Sequence, residues 1–324
     1  MKHVITITLL FILSALVASA QNDPKDRKLT PARGHYKQLP IFSAAPKSAH
    51  EEVDKQKFPD DPATTERRLS LKPYYLETIT LKDFQIPEPP ANSSEQTRAE
   101  LNYLLTLQQQ RTKLDVESSL LMAGIYYSPR VQPTDSTYTF FRKNLFHIGH
   151  SIGTWFNPDD LPLTADLIAN VWRDASYFIW SMKLKYLRIR PYKIEEGLDN
   201  LEETDWAAYP SGHAANSYVN AYIYQELGPE FTDVFLKDAY DMAHSREILG
   251  VHYPSDAEAS RIFARQFVNK LFKNEKFLKD LKEVKKEWTQ KAKESFKKPS
   301  VTVGAIGSKA ASCSSKETEC AKVD

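Results

Sequence analysis

The sequence predicts an all-α fold with a single helical-bundle domain. Two observations predict it. In the central part of the chain, apolar residues recur at intervals of three and four, as in Leu101, Leu104 and Leu105 and again in Phe263 and Phe267. Stretches with the alternating pattern of a half-buried strand are few. A chain of 324 residues with 41% hydrophobic residues can also bury a sizeable core.

Proline and glycine separate the predicted helices, and Pro191, Pro210, Gly228 and Pro254 mark their ends. The helices span about residues 94–112, 114–127, 163–187, 212–227, 230–249 and 255–272, and the last of them has a charged extension through residue 293. The Lys-rich stretch of that extension alternates with Glu and Asp, which is typical of a solvated helix face.

The two ends of the chain differ in composition from this central part. Residues 1–20 resemble a secretory signal peptide, with a basic start, an apolar run and Ala18-Ser19-Ala20 at the expected cleavage site. The alternative is a membrane anchor, but the run is short for a bilayer span. We therefore expect an exported protein, periplasmic or secreted, without stable membrane insertion after cleavage.

Charged and small residues dominate residues 21–70 and residues 299–324, which predicts a flexible leader and a polar tail around one helical domain at residues 71–298. Cys313 and Cys320, the two cysteines, lie in the tail and could pair or stay free thiols. They exclude a Cys-rich metal site. With 43 basic and 42 acidic residues, the chain also lacks the basic excess expected of a nucleic-acid-binding protein.

Three short segments could together form an anion site. They supply two arginines and a lysine, which suit a phosphate dianion, two histidines, and a carboxylate. The segments are Lys183-x6-Arg190-Pro191, Pro210-Ser211-Gly212-His213, and Ser245-Arg246-x5-His252-x3-Asp256.

The first two segments are weak signals when each is taken alone. Lys183 and Arg190, seven residues apart, would share one face of a helix before Pro191 ends it, although basic residues there could merely offset the helix dipole. The Ser211 hydroxyl and the Ser211 and Gly212 amides could face an anion at a helix N-terminus, or act as an ordinary cap. Only their combination with the third segment favours an anion site.

The third segment carries the chemistry. His252 and Asp256 are four residues apart, so the carboxylate could hold one ring nitrogen and present the other as a nucleophile. We interpret His147, His150 and His244 as structural, since the His147-x2-His150 pair lacks further ligands at a recognisable spacing. No metal is therefore expected.

The order and spacing of the three segments resemble the type 2 phosphatidic acid phosphatase superfamily, which includes bacterial class A nonspecific acid phosphatases and vanadium haloperoxidases. Residues 71–76 (LKPYYL) and 87–93 (PEPPANS) are similar to the start of a mature class A enzyme. Roughly residues 71–270 fit the class A pattern. The resemblance implies a helical catalytic domain of this type.

The resemblance also implies an activity, that of a secreted, metal-independent acid phosphatase that hydrolyses small-molecule phosphate monoesters without a cofactor. It implies a covalent phosphohistidine on His252, oriented by Asp256, and a general acid, later a base, at His213. Lys183, Arg190, Ser211, Gly212 and Arg246 would bind the phosphate. Homo-oligomer formation stays open.

The chain departs from the class A pattern around these motifs. Ala207-Ala208 stands where Gly-Ser is common, Ala214 replaces a frequent Thr, and Glu247 follows Arg246 where an apolar residue is usual. Glu247 is therefore expected to alter the charge near Arg246. One alternative is a vanadium-dependent haloperoxidase, because vanadate mimics phosphate. The others are an exported lipid-phosphate or pyrophosphate phosphatase and a non-catalytic anion-binding protein.

Overall fold

A computed structural model describes residues 27–28 and 51–297, and within these ranges the chain is helical with no β-strand. The all-α prediction is confirmed. The expected signal peptide, the tail, Cys313 and Cys320 lie outside the described residues. The helices are α1 (Glu51–Asp54), α2 (Pro62–Leu69), α3 (Glu95–Gln110), α4 (Lys113–Ala123), α5 (Tyr138–Asn144), α6 (Pro162–Tyr186), α7 (Pro191–Ile194), α8 (Gly212–Leu227), α9 (Thr232–Ile248), α10 (Pro254–Leu271) and α11 (Glu275–Lys297).

Helix α8 forms the centre of the bundle. Its residues 214–224 are all buried, and α6, α9 and α10 pack around it. A helix that is surrounded in this way needs small or apolar residues on every face, which Ala214, Ala215, Val219 and Ala221 provide. The N-terminal end of α8 carries Gly212 and opens onto a cavity. Within the described ranges, no helix has both the length and the apolar character that a membrane crossing requires.

The predicted charged extension of the last helix is a separate helix. Helix α10 ends at Leu271, and the side-chain oxygen of Asn274 accepts a hydrogen bond from the Phe277 amide, which starts α11. Along α11, Phe277, Leu281 and Trp288 are buried against the bundle at helical spacing. The solvated face therefore accounts for the lysines of α11 but not for its apolar stripe.

Helix α6 ends earlier than the spacing of Lys183 and Arg190 suggested. Its last residue is Tyr186, and Leu187 takes the left-handed conformation with φ 49°, while its amide donates to the Lys183 carbonyl. Arg190 therefore follows the helix instead of sharing its face, and the prediction that Pro191 ends this helix is wrong. Pro191 is instead the first residue of α7.

Two helices lie between residues 51 and 70, in the segment for which a leader is expected. Asp61 caps α2 by accepting hydrogen bonds from the amides of Ala63 and Thr64. Helix α2 packs against α6, and the Phe58 amide donates to the Leu187 carbonyl at 2.8 Å. This segment thereby brings Arg68 to the cavity that α6 lines.

A candidate anion-binding active site

A cavity of about 360 Å³ lies at the N-terminal end of α8. The last turn of α6, the first turn of α8, the last turn of α9 and the loop before α10 meet there. Six of the predicted site residues line it, namely Lys183, Arg190, Gly212, His213, Arg246 and His252. Asp256 does not line the cavity but contacts the His252 ring.

The His252 ring is held in one tautomer by its two neighbours. Its Nδ1 lies 2.9 Å from Asp256 Oδ2, which can only accept, so Nδ1 carries the proton. Its Nε2 lies 3.0 Å from Arg190 Nη1, a donor, so Nε2 keeps its lone pair. Burial and the positive charge of Arg190 lower the pKa of His252 well below its ordinary value. The imidazole is therefore neutral, with its lone pair on the cavity side.

Asp256 is in turn held by a buried ion-pair chain. Arg188 Nη1 lies 2.6 Å from Asp256 Oδ1, and Arg188 Nη2 lies 3.1 Å from Glu100 Oε2. Burial acts to raise the pKa of Asp256, but the charge of Arg188 and the His252 hydrogen bond outweigh it and hold the pKa well below its usual range. Arg188 is itself buried and supports Asp256.

Arg246 has unused hydrogen-bonding capacity. Its Nη2 donates to Glu202 Oε2 at 2.6 Å, whereas its buried Nε and Nη1 have no hydrogen-bond partner among the described residues. Buried donors without partners are costly, so an oxyanion in the cavity would be stabilised by them. The acid beside Arg246 is Glu202 and not the expected Glu247, whose carboxylate lies 3.0 Å from His244 Nδ1.

Lys183 holds the loop before α8. Its Nζ donates to the carbonyl oxygens of Ala207, Ala208 and Pro210 at 2.8, 3.1 and 2.7 Å. Burial and the charge of Arg190 lower the pKa of Lys183 well below its ordinary value. The ammonium group therefore fixes the loop and, when charged, adds positive potential to the cavity; a direct bond to an anion would require exchange of one carbonyl.

His213 and Ser211 occupy the start of α8. His213 Nε2 lies 3.1 Å from the Ala123 carbonyl and donates to it, and burial together with the charge of Arg246 lowers the pKa of His213 well below its ordinary value. The Ser211 hydroxyl is fully buried and accepts from the Ala214 amide at 3.4 Å, as an N-cap does. Ser211 is not among the residues that line the cavity.

His147, His150 and His244 are not among the residues that line this cavity. The rings of His147 and His150 stack at a centroid distance of 5.3 Å, and burial lowers the pKa of His147 to about 4. Across residues 27–28 and 51–297, no group of three His, Cys, Asp or Glu side chains is arranged to hold a metal ion.

Sequence reasoning missed several residues that shape the site. Glu100 could have been identified, because it is a charged residue beside Leu101 on the apolar face of α3. Trp180 could also have been identified, because it precedes Lys183 by one helical turn. Glu202 and Trp206 lie in an irregular loop and had no such signal.

Known proteins provide an independent comparison. No family model matches the chain. A non-specific acid phosphatase of Providencia stuartii is 35% identical over 139 residues, which are 40% of this chain and 55% of that protein. A non-specific acid phosphatase of Salmonella typhi is 25% identical over 232 residues, 68% of this chain and 86% of that protein. The chain thus spans little more than half the length of the Providencia protein.

Two solved structures align with parts of the chain. A bacterial vanadium-dependent iodoperoxidase has a TM-score of 0.47 and 15% identity, over 79% of this chain and 64% of that one. A transmembrane phosphatidylglycerolphosphate phosphatase of Bacillus subtilis has a TM-score of 0.29 and 17% identity, over 54% of this chain and 94% of that one. The three motif segments and the non-specific acid phosphatase relatives support a relationship to the type 2 phosphatidic acid phosphatase superfamily.

Proposed function

We propose that the protein is an exported phosphoric monoester hydrolase, an acid phosphatase that acts on small phosphate esters without a metal. The neutral His252 carries this proposal, because its Nε2 lone pair lies on the cavity side at 3.0 Å from Arg190. The unpartnered Nε and Nη1 of Arg246 support a phosphate position in the same cavity. The acid phosphatase relatives support the reaction class.

Phosphate binding prepares the nucleophile in this proposal. The phosphate oxygens take the free donors of Arg246, and Arg190 turns from His252 Nε2 to the phosphate. Nε2 then attacks phosphorus, a P–N bond forms, and the P–O bond to the leaving alcohol breaks. Asp256 stabilises the positive charge that develops on the imidazole ring, as the 2.9 Å hydrogen bond allows.

His213 transfers the protons in both steps. The negative charge of the bound phosphate favours the protonated ring and so opposes the burial that lowers the pKa of His213. In the first step His213 donates its proton to the leaving oxygen. In the second step it accepts a proton from water, whose oxygen attacks phosphorus while the P–N bond breaks and returns the electron pair to His252. The products are the alcohol and inorganic phosphate.

Hydrolysis of p-nitrophenyl phosphate in excess chelator tests the reaction. His252→Ala should reduce phosphate release to background, whereas His150→Ala, an exposed histidine outside the cavity, should retain activity. His213→Ala should accumulate an acid-labile, alkali-stable phosphoryl group, because p-nitrophenolate leaves without a proton while the second step lacks its base. Full activity of His252→Ala would contradict the proposal. Loss of the wild-type activity in excess chelator would contradict it as well.

A further measurement distinguishes a phosphatase from a haloperoxidase. Halide oxidation by peroxide after vanadate loading would favour a haloperoxidase, while simple competitive inhibition by vanadate supports the phosphatase.

The export part of the proposal predicts cleavage after Ala20, so the protein recovered outside the cytoplasm should begin at Gln21. An intact N-terminus on that protein would contradict the export part of the proposal.

A further inference from the structure

The cavity has an aromatic end as well as a cationic one. Along α6, the residues that line it follow one helix face and lead from Trp172 through Ser176 and Trp180 to Lys183. The aromatic wall thus adjoins the phosphate-binding groups. Its side chains are Tyr126, Phe141, Trp172, Trp180 and Trp206.

Two indole rings stand closest in sequence to the phosphate-binding groups. The rings of Trp180 and Trp206 meet edge to face, with centroids 5.9 Å apart and an interplanar angle of 71°. The Trp206 carbonyl accepts a hydrogen bond from Arg190 Nε at 2.9 Å, so the backbone of Trp206 is tied to a phosphate-binding arginine. Trp206 is nevertheless 36% exposed, an unusual position for a large aromatic ring.

Arg68 braces this pair of rings. Its guanidinium carbon lies 4.2 Å from the centre of the Trp180 ring and 5.7 Å from that of Trp206, both within cation–π range. Arg68 belongs to α2, which precedes the region that resembles class A acid phosphatases. Arg68 therefore lies outside the three motif segments and outside the region that resembles class A enzymes.

We propose that Trp180 and Trp206 form a subsite for the leaving group, and that the preferred substrates are phosphate monoesters of planar aromatic alcohols. This inference rests on the proposed function, because it requires phosphate at the cationic end of the cavity. The volume of about 360 Å³ falls in the range of small-molecule sites. Aromatic pairing is expected to increase affinity about three- to ten-fold over an aliphatic ring of similar size.

A pair of phosphonates tests the subsite without turnover. Benzylphosphonate and cyclohexylmethylphosphonate have the same charge and similar size and differ in the aromaticity of the ring. Calorimetry on the full chain should show about three- to ten-fold tighter binding of benzylphosphonate. In Trp180→Leu and in Trp206→Leu this preference should fall to less than about two-fold.

Phe231→Leu provides the matched control. Phe231 follows the C-terminal end of α8, about 24 Å along the helix from Gly212, and it should keep the wild-type preference. Equal binding of the two phosphonates by the wild type, absence of binding, or a preference that both tryptophan variants retain would overturn the inference. Because Trp206 is partly exposed, Trp206→Leu should fold even if Trp180→Leu does not.

Turnover of the matching esters separates this inference from the proposed function. If benzylphosphonate binds preferentially but neither benzyl phosphate nor cyclohexylmethyl phosphate is hydrolysed, the proposed function fails and the subsite stands. If both esters are hydrolysed at equal kcat/KM, and neither tryptophan variant changes that ratio, the subsite fails and the proposed function stands.

Discussion

At the scale of single residues, His252, the proposed nucleophile, is held by a buried chain of charges that runs from Glu100 through Arg188 to Asp256. Each member of this chain of charges holds the next, and Arg188 is the member that lies between two carboxylates. Its ion pairs are almost fully removed from solvent. Breaking such pairs costs much more than breaking exposed ones, because the remaining charges stay buried.

Arg188→Met should therefore destabilise the protein by about 3–5 kcal/mol, because Glu100 and Asp256 lose their shared partner. Urea denaturation at neutral pH measures the change in the free energy of unfolding. Adding Glu100→Gln to this variant removes one of the two uncompensated carboxylates and should recover part of the loss. A loss below about 1 kcal/mol in Arg188→Met would show that the chain of charges contributes little to stability.

In the proposed function, Glu202 would compete with phosphate for Arg246. Its carboxylate lies 2.6 Å from Arg246 Nη2, where a phosphate oxygen would place a second negative charge beside it. Glu202→Gln should lower the inhibition constant of inorganic phosphate about ten-fold, because the repulsion and the competing charged hydrogen bond are both removed. The exposed neighbour Glu203 provides the control, and Glu203→Gln should leave the constant unchanged. Weaker phosphate binding in Glu202→Gln would contradict this role.

At the scale of elements, the sequence predicted helices better than the turns between them. Helix α8 has the predicted bounds, because the residue before Gly212 caps it and Gly228 follows its last turn. The left-handed Leu187 carries no such signal, since glycine or asparagine is the usual residue at that position. The motif spacing therefore identified Arg190 correctly as a cavity residue but assigned it to the wrong element.

Loop residues of the site escaped prediction for a related reason. Trp206 reaches the cavity through the Arg190 hydrogen bond to its carbonyl, and Glu202 through its ion pair with Arg246. Neither contact follows from periodicity, because tertiary packing sets the course of an irregular loop. The motif residues His252 and Asp256, by contrast, are close in sequence, so their spacing alone predicted the contact.

Helix α2 should influence ligand preference through Arg68. Arg68→Ala removes the cation beside the Trp180 ring, and the preference for benzylphosphonate over cyclohexylmethylphosphonate should fall about two- to five-fold. Arg67→Ala, at the exposed neighbouring position, should leave the preference unchanged. Calorimetry on the three proteins measures both values. An unchanged preference in Arg68→Ala would show that the indole rings hold their positions without α2.

At the scale of the whole molecule, the net charge does not indicate the local cluster of cations at the site. The chain has a formal net charge of +1, yet Lys183, Arg190 and Arg246 converge on one cavity. A local cluster of cations inside a near-neutral protein attracts a small anion without the extended field that nucleic-acid binding needs. Composition therefore predicts that nucleic acid is not a partner, but it could not locate the site.

Partly or fully buried histidines that stay neutral should make the stability of the whole molecule depend on pH. Burial lowers the pKa of His147 to about 4, whereas an unfolded histidine titrates near 6.5. Between these values the unfolded state binds the extra proton, so the free energy of unfolding falls as the pH falls from about 6.5 to about 4. The shift corresponds to about 3 kcal/mol for His147.

His147→Gln should therefore lose less stability than the wild type when the pH is lowered from 7.5 to 4.5. Other titrating groups, including His213, His252 and the carboxylates, are present in both proteins, so the difference between the two pH responses isolates His147. Urea denaturation at the two pH values measures this difference. Parallel losses in His147→Gln and the wild type would mean that His147 takes up its proton without a cost to folding.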